Sequence, residues 1–344
     1  MLAALALAAL GLLLPRAAAL RNASLAAAGA PPSFLAVGPS AAAGSFDLFT
    51  LSAGGQKTKV LLSFPVAAAE VAQDGAFGCG RGYCMLLTVL PAARQTILRN
   101  FSFFAPALLD KYTLPYLATN LVVNEAENND DFYALTVISD HTKTPPTWEV
   151  AAVLHGGRTA PILDITASVG AGVVLNGATA YCGFGSFTLF VAVTRRGNDN
   201  DALLAVDVRK GAIKSTTLLN MPGLASHYAT CGGAEGPLGV GGAMVVSSGF
   251  GRHAVVVGSV DLASGAFAPI DSALIAAEGP AAAPLDISSV MAGVSPFSMS
   301  YAAVLYSGFN RLPGMLFVAF PANGRGSATT APLDVLVYGL AEAF

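Results

Sequence analysis

The chain has 344 residues, 54% of them hydrophobic and only 11% charged, with 18 basic against 21 acidic residues for a net charge of −3. So apolar a chain is not intrinsically disordered, because disorder needs low hydrophobicity and high charge. Phosphate backbones demand clustered Lys and Arg; no basic run occurs, which excludes nucleic acid as a partner.

From the N-terminus, an apolar run from Leu2 to Leu14 is followed by Pro15 and then Ala17-Ala18-Ala19. A short apolar stretch ending in small residues is the pattern of a secretory signal peptide over residues 1–19. It is shorter than the ~20 apolar residues of a spanning helix, and no later apolar run reaches that length. The mature chain is therefore expected to carry no membrane span, with a linker over 20–32 and one domain over 33–344. Export, to the outside or a secretory lumen, would expose two N-glycosylation sequons, Asn22-Ala23-Ser24 and Asn100-Phe101-Ser102. For the second, the Asn100 side chain must face outward. Four cysteines also suit an oxidising compartment. Cys79 and Cys84 bracket a Gly-rich tetrapeptide and are expected to pair, which leaves Cys182 with Cys231, although four cysteines allow three connectivities.

From Ser33 onward the chain reads as short strands bounded by Gly, Pro, Asn, Asp or Ser, without an amphipathic helix. Many strands, such as FTLFVAV and ALLAVDV, are continuously apolar, as strands buried on both faces are. A unit recurs at intervals of roughly 50 residues. An apolar run, a polar or Gly-rich loop and a second apolar run lead through a glycine turn to a weaker strand. It is clearest in the segments beginning at Phe34, Phe187, Met244 and Tyr301, with turns at Gly54-Gly55, Gly211, Gly265 and Gly324. Two degenerate copies centre on YCMLLTVLPAARQTILRNF and FYALTVISDHTKTPPTWEVAAVL. Stacked sheets that are apolar on both faces leave no end in water only when they close into a ring. The expected fold is an all-β propeller of about six blades, closed by the C-terminal DVLVYGL segment beside SFLAV. Two tandem β-sandwiches are the alternative. A membrane β-barrel needs strict apolar/polar alternation, which these runs lack.

The hairpin ALLAVDVRKGAIKSTTLL, and more loosely FDLFTLSAGGQKTKVLLSF, resembles blade hairpins of quinoprotein-like β-propellers, in which an apolar strand ends in Asp and a Gly turn reverses the chain. The resemblance implies the architecture. It transfers no cofactor or site residue, since the blade tryptophans are missing and Trp148 is the only Trp.

Catalytic motifs are absent from the sequence: there is no P-loop, no Rossmann glycine fingerprint, no G-x-S-x-G and no H-E-x-x-H. The histidines His141, His155, His227 and His253 are isolated from one another. The densest polar cluster, Asn124 to Asp131, offers Glu125, Glu127, Asp130 and Asp131 as oxygen ligands for a divalent cation such as calcium, though without the spacing of a calcium loop. Asn198–Asp201 reads as turn residues. The expected function is a secreted or lumenal, non-catalytic module for a protein or glycan ligand. The alternative is a metal-dependent hydrolase or lyase with its site at the mouth of the central channel.

Overall fold

The computed structural model describes residues 33–342 apart from 81, 103, 124–131, 141–142, 144–145, 170–172, 183–186, 196–201, 219–223, 232–241, 250–253, 262–263, 265, 275–285, 295–298, 308–312 and 320–326. Among the described residues, twenty-four strands make six four-stranded antiparallel sheets. The first contains β1 (Ser33–Pro39), β2 (Ser45–Ser52) and β3 (Lys57–Pro65), and its innermost strand comes from the far end of the chain as β24 (Gly339–Glu342). Blade 2 is β4 (Val71–Gly80), β5 (Tyr83–Leu90), β6 (Gln95–Ser102) and β7 (Ala107–Leu114). Blade 3 is β8 (Leu117–Val123), β9 (Phe132–Asp140), β10 (Thr147–Leu154) and β11 (Thr159–Asp164). Blade 4 is β12 (Val173–Cys182), β13 (Thr188–Arg195), β14 (Ala202–Asp207) and β15 (Ala212–Leu218). Blade 5 is β16 (Leu224–Cys231), β17 (Gly242–Gly249), β18 (Ala254–Asp261) and β19 (Phe267–Leu274). Blade 6 is β20 (Asp286–Val294), β21 (Met299–Ser307), β22 (Pro313–Ala319) and β23 (Ser327–Pro332).

The innermost strands touch in the cyclic order β24, β4, β8, β12, β16, β20 and back to β24, so the molecule is a closed six-bladed β-propeller. Closure joins the two ends of the domain: β24 pairs antiparallel with β1, Phe34 opposite Glu342 and Val37 opposite Gly339, and the Tyr338 amide donates to the Val37 carbonyl at 2.8 Å. The DVLVYGL segment thus does join the blade of SFLAV, but the paired residues lie at its end and just beyond. Gly339 allows this, because a Cβ there would come within 2.8 Å of the Phe77 Cβ on β4.

The continuous apolar runs are explained by the seams between blades. On β1, Leu35 and Val37 face blade 2, where they meet Phe77, Cys79 and Leu86. The alternate residues Phe34 and Ala36 face the other way, toward Met315 of blade 6. On β5, Cys84 and Leu86 likewise pack on blade 1, whereas Met85, Leu87 and Val89 pack on Leu121, Val123 and Ala134 of blade 3. Both faces of a middle strand are therefore core, and β14 is buried at all six positions. Fully burying one such Leu, Val or Phe contributes about 1.5–3 kcal/mol. Burial drops on the outermost strands: β7 is exposed over its first five residues. Every outermost strand carries Lys or Pro, namely Lys57 and Lys59, Lys111, Pro161, Lys214, Pro269 and Pro332, which discourages pairing of the free edge with another chain.

Candidate recognition surface

In a four-stranded antiparallel blade the connections from first to second and from third to fourth strand leave at the same end. In this ring they form one rim. Gly78, near the end of β4, lies against Val123 at the end of β8, which aligns neighbouring blades at that rim. The two connections of one blade on this rim are separated in sequence, and so are the first residues of β5 and β9, which lie side by side in space.

An aromatic ribbon runs over the rim across blades 2 and 3. Tyr83 opens β5 and Tyr133 sits at the start of β9; their rings meet edge to face with centroids 4.9 Å apart. The Tyr83 hydroxyl donates to the Tyr133 carbonyl at 2.9 Å, which fixes the ring. The exposed His155, in the β10–β11 turn, places its ring 3.8 Å from that of Tyr133. Phe104, in the β6–β7 connection, is 85% exposed and lies over Gly82, whose φ of +77° favours glycine. Gly157, at φ +72°, lets the His155 turn seat against the Tyr112 ring, which a Cβ would approach to 2.1 Å. Burial foremost, then the neighbouring Asp110 carboxylate, pushes the Tyr112 phenol up to about 12, so it stays neutral. The ribbon continues into blade 4. Phe132 meets Tyr181 of β12 with centroids 5.7 Å apart, and the Arg209 guanidinium lies 3.3 Å from the ring centre of Phe187, which is held at φ +46°.

Among the described residues the most deeply buried ion pair lies elsewhere. Glu70, in the connection from β3 to β4, is 8% exposed, and Arg99 on β6 is wholly buried. Arg99 grips both carboxylate oxygens, one at 2.9 Å, and donates to the Pro65 carbonyl at 3.3 Å. Thr88 and the Ala67 amide complete the carboxylate's shell. Burial pushes the Glu70 carboxyl up, but the bonds from Arg99 and Thr88 outweigh it and hold it below its ordinary value. This cluster pins the blade 1–2 connection into the ring.

Cys79 and Cys84, directly opposite each other on β4 and β5, form the expected disulfide. Cys182 and Cys231 end β12 and β16, two inner strands in contact with each other. The outward-facing Asn100 on which a glycan depended is not found. Asn100 is 2% exposed, its Oδ1 has no hydrogen-bond partner, and it sits between Arg99 and Phe101, both wholly buried. On a strand covered on both faces no position points outward. Asn22, Glu125, Glu127, Asp130, Asp131, His141, Asn198–Asp201 and His253 lie outside the described residues; His227 lies on β16 opposite Ser247. The acidic four belong to the connection between Val123 and Phe132, next to the ribbon in sequence. Among the described residues no cluster of three or more His, Cys, Asp or Glu could hold a metal ion, and no helix is long and apolar enough to cross a membrane. Of the ribbon, the sequence singled out His155 alone. Tyr83 and Tyr133 lie fifty residues apart, and the only signal available was that each stands at the mouth of a predicted hairpin.

No protein-family model matches the chain, and no curated protein matches it in sequence. Among solved structures it is similar to TolB from Acinetobacter baumannii, at 12% identity and a TM-score of 0.56, covering 91% of this chain and 66% of that one. It is also similar to the BP39L lectin from Burkholderia pseudomallei, at 14% identity and a TM-score of 0.49, covering 86% and 84%. A quinoprotein alcohol dehydrogenase-like protein from Bacteroides thetaiotaomicron gives 9% identity and 0.44, covering 90% and 78%. The likeness to TolB supports the propeller fold and nothing further; the other two are too distant to carry an argument.

Proposed function

We propose that this propeller is an exported binding module that holds a protein or glycan ligand on its aromatic rim without transforming it. The observation that carries the reading is Phe104, a large ring left 85% exposed beside the hydrogen-bonded Tyr83 and the His155 pair. Aromatic side chains dominate recognition surfaces because they bury much area at little entropic cost. Export is supported by the apolar N-terminal run and by the Cys79–Cys84 disulfide, since such bonds persist in oxidising compartments. On the same reading Cys182 and Cys231 form a second disulfide that staples two inner strands. The test is a binding screen of the full chain against immobilised glycans and extracellular proteins, repeated with Phe104→Ala. A ligand that Phe104→Ala loses supports the rim as its site. A screen without any ligand, or a ligand that Phe104→Ala binds equally well, overturns it.

A further inference from the structure

We infer that the rim's ligand is a neutral glycan, stacked by its sugar rings on the ribbon formed by Phe104, Tyr83, Tyr133 and His155; this rests on the reading of the rim as a binding surface. In the His155 turn the main chain is not available for strand addition. There the Leu154 amide donates to the Arg158 carbonyl at 2.7 Å and the Gly157 amide to the Leu154 carbonyl at 3.1 Å. A peptide could not add to this turn as a strand, so a ligand there must be read by side chains. Those side chains are ring faces and edges, whose electron-rich faces suit the apolar, weakly positive C–H face of a sugar ring. The rings are also fixed beforehand. Tyr83 is tied by its hydroxyl to the Tyr133 carbonyl, and Gly82 and Gly157 bring the backbone up beneath Phe104 and Tyr112. Such preorganisation spares a ligand the ordering cost of binding.

The polar groups around the ribbon are mixed in kind. Arg158 only donates, Asp110 only accepts, and His155 does either; Arg158 and Asp110 are both exposed. Sugar hydroxyls are both donors and acceptors and are satisfied by such a set. A strongly anionic ligand would meet Asp110, and a strongly cationic one Arg158. Each carries a charge that the other half of the surface opposes.

The experiment titrates the full chain by calorimetry with soluble mannan, laminarin, xylan and chitohexaose, with alginate as an acidic control, and pans the same protein against a random peptide library. The expected result is that one neutral saccharide binds and alginate does not. Phe104→Ala and Tyr133→Ala each weaken that binding about tenfold or more, whereas Tyr133→Phe, which keeps the ring, weakens it less than threefold. The thermal midpoint of Phe104→Ala, measured alongside, separates lost binding from lost folding. Peptides selected at the rim, with no saccharide bound, would overturn the glycan assignment and leave the binding reading standing. Binding of alginate alone, or saccharide binding that Phe104→Ala does not weaken, would also overturn it. Failure of saccharides and peptides alike would overturn both.

Discussion

Blades 1 and 2 each set a carboxylate between a cation and a hydroxyl, at different depths. In blade 1, Asp47 accepts from Lys57 at 2.8 Å and from Ser63 at 2.7 Å, and the Lys57 side chain keeps 20% of its exposure. In blade 2, Glu70 accepts from Arg99 and Thr88, with both charged side chains at 1% exposure or less. Water still screens and solvates the first pair. The second has no water to fall back on, so each of its polar atoms must find a protein partner; all but the Arg99 Nε do. The same chemistry is a modest surface contribution in one blade and an obligatory lock in the next.

The two blades are also fastened differently. Blade 1 is completed by the non-covalent β24, blade 2 by a disulfide between its own neighbouring strands. Deleting residues 333–344 should have the largest effect. It removes the buried Val337, Leu340 and Ala341 and the innermost strand of a blade, about 5 kcal/mol or more of burial, comparable with the whole stability of a typical domain. Thermal melting should show loss of the whole cooperative transition. A protease-resistant fragment of half the chain would instead indicate two independent units.

Arg99→Ala should come next, because it strands a buried carboxylate; about 3–5 kcal/mol is expected, read by denaturant titration. Glu70→Gln together with Arg99→Met should be less damaging than Arg99→Ala alone, since no uncompensated charge remains. The lowered carboxyl values of Glu70 and Asp47 set the sign of the pH response. Burial works against both, and hydrogen bonds led by Arg99 and Lys57 respectively prevail. A carboxylate whose value is depressed by folding contributes stability that is complete above its unfolded value, about 4, and is lost as pH falls through the folded one. Unfolding free energy should therefore fall below about pH 4, and more shallowly in Glu70→Gln.

The disulfide should rank third. Its loop is short, so Cys79→Ala with Cys84→Ala should cost about 2 kcal/mol, and a loss larger than that of Arg99→Ala would reverse the assigned order of the two fasteners. Asp47→Asn should be the mildest, at about 1 kcal/mol, and should shrink in high salt as partly exposed pairs do.

Much of the ring was legible because burial on both faces leaves a mark in sequence. FTLFVAV and ALLAVDV read as doubly covered strands and are β13 and β14; the glycine turns at Gly55 and Gly211 are found at φ +79° and +58°. The closing strand was placed a few residues early. Asp334 is instead drawn off to accept the Lys57 amide at 3.2 Å, and pairing begins only where Gly339 admits the backbone against Phe77. Asn100 was misread for the same reason that the strands were read well: with both faces covered, alternation no longer marks an outside. The ribbon was nearly invisible, because Tyr83, Tyr133 and Phe104 become neighbours only when blades 2 and 3 pack. A seam between two sheets has no period that a linear reading can detect.

The pairing of β1 with β24 also dictates the order of events during synthesis. β1 gains its inner neighbour only after the five blades between it and β24 have been made, so blade 1 must wait with Phe34 and Ala36 uncovered in the meantime. Contacts so distant in sequence are slow to form, and waiting apolar edges are where newly made chains stick to one another. The strand that makes the finished ring seamless is thus also the point at which its assembly is most open to misfolding.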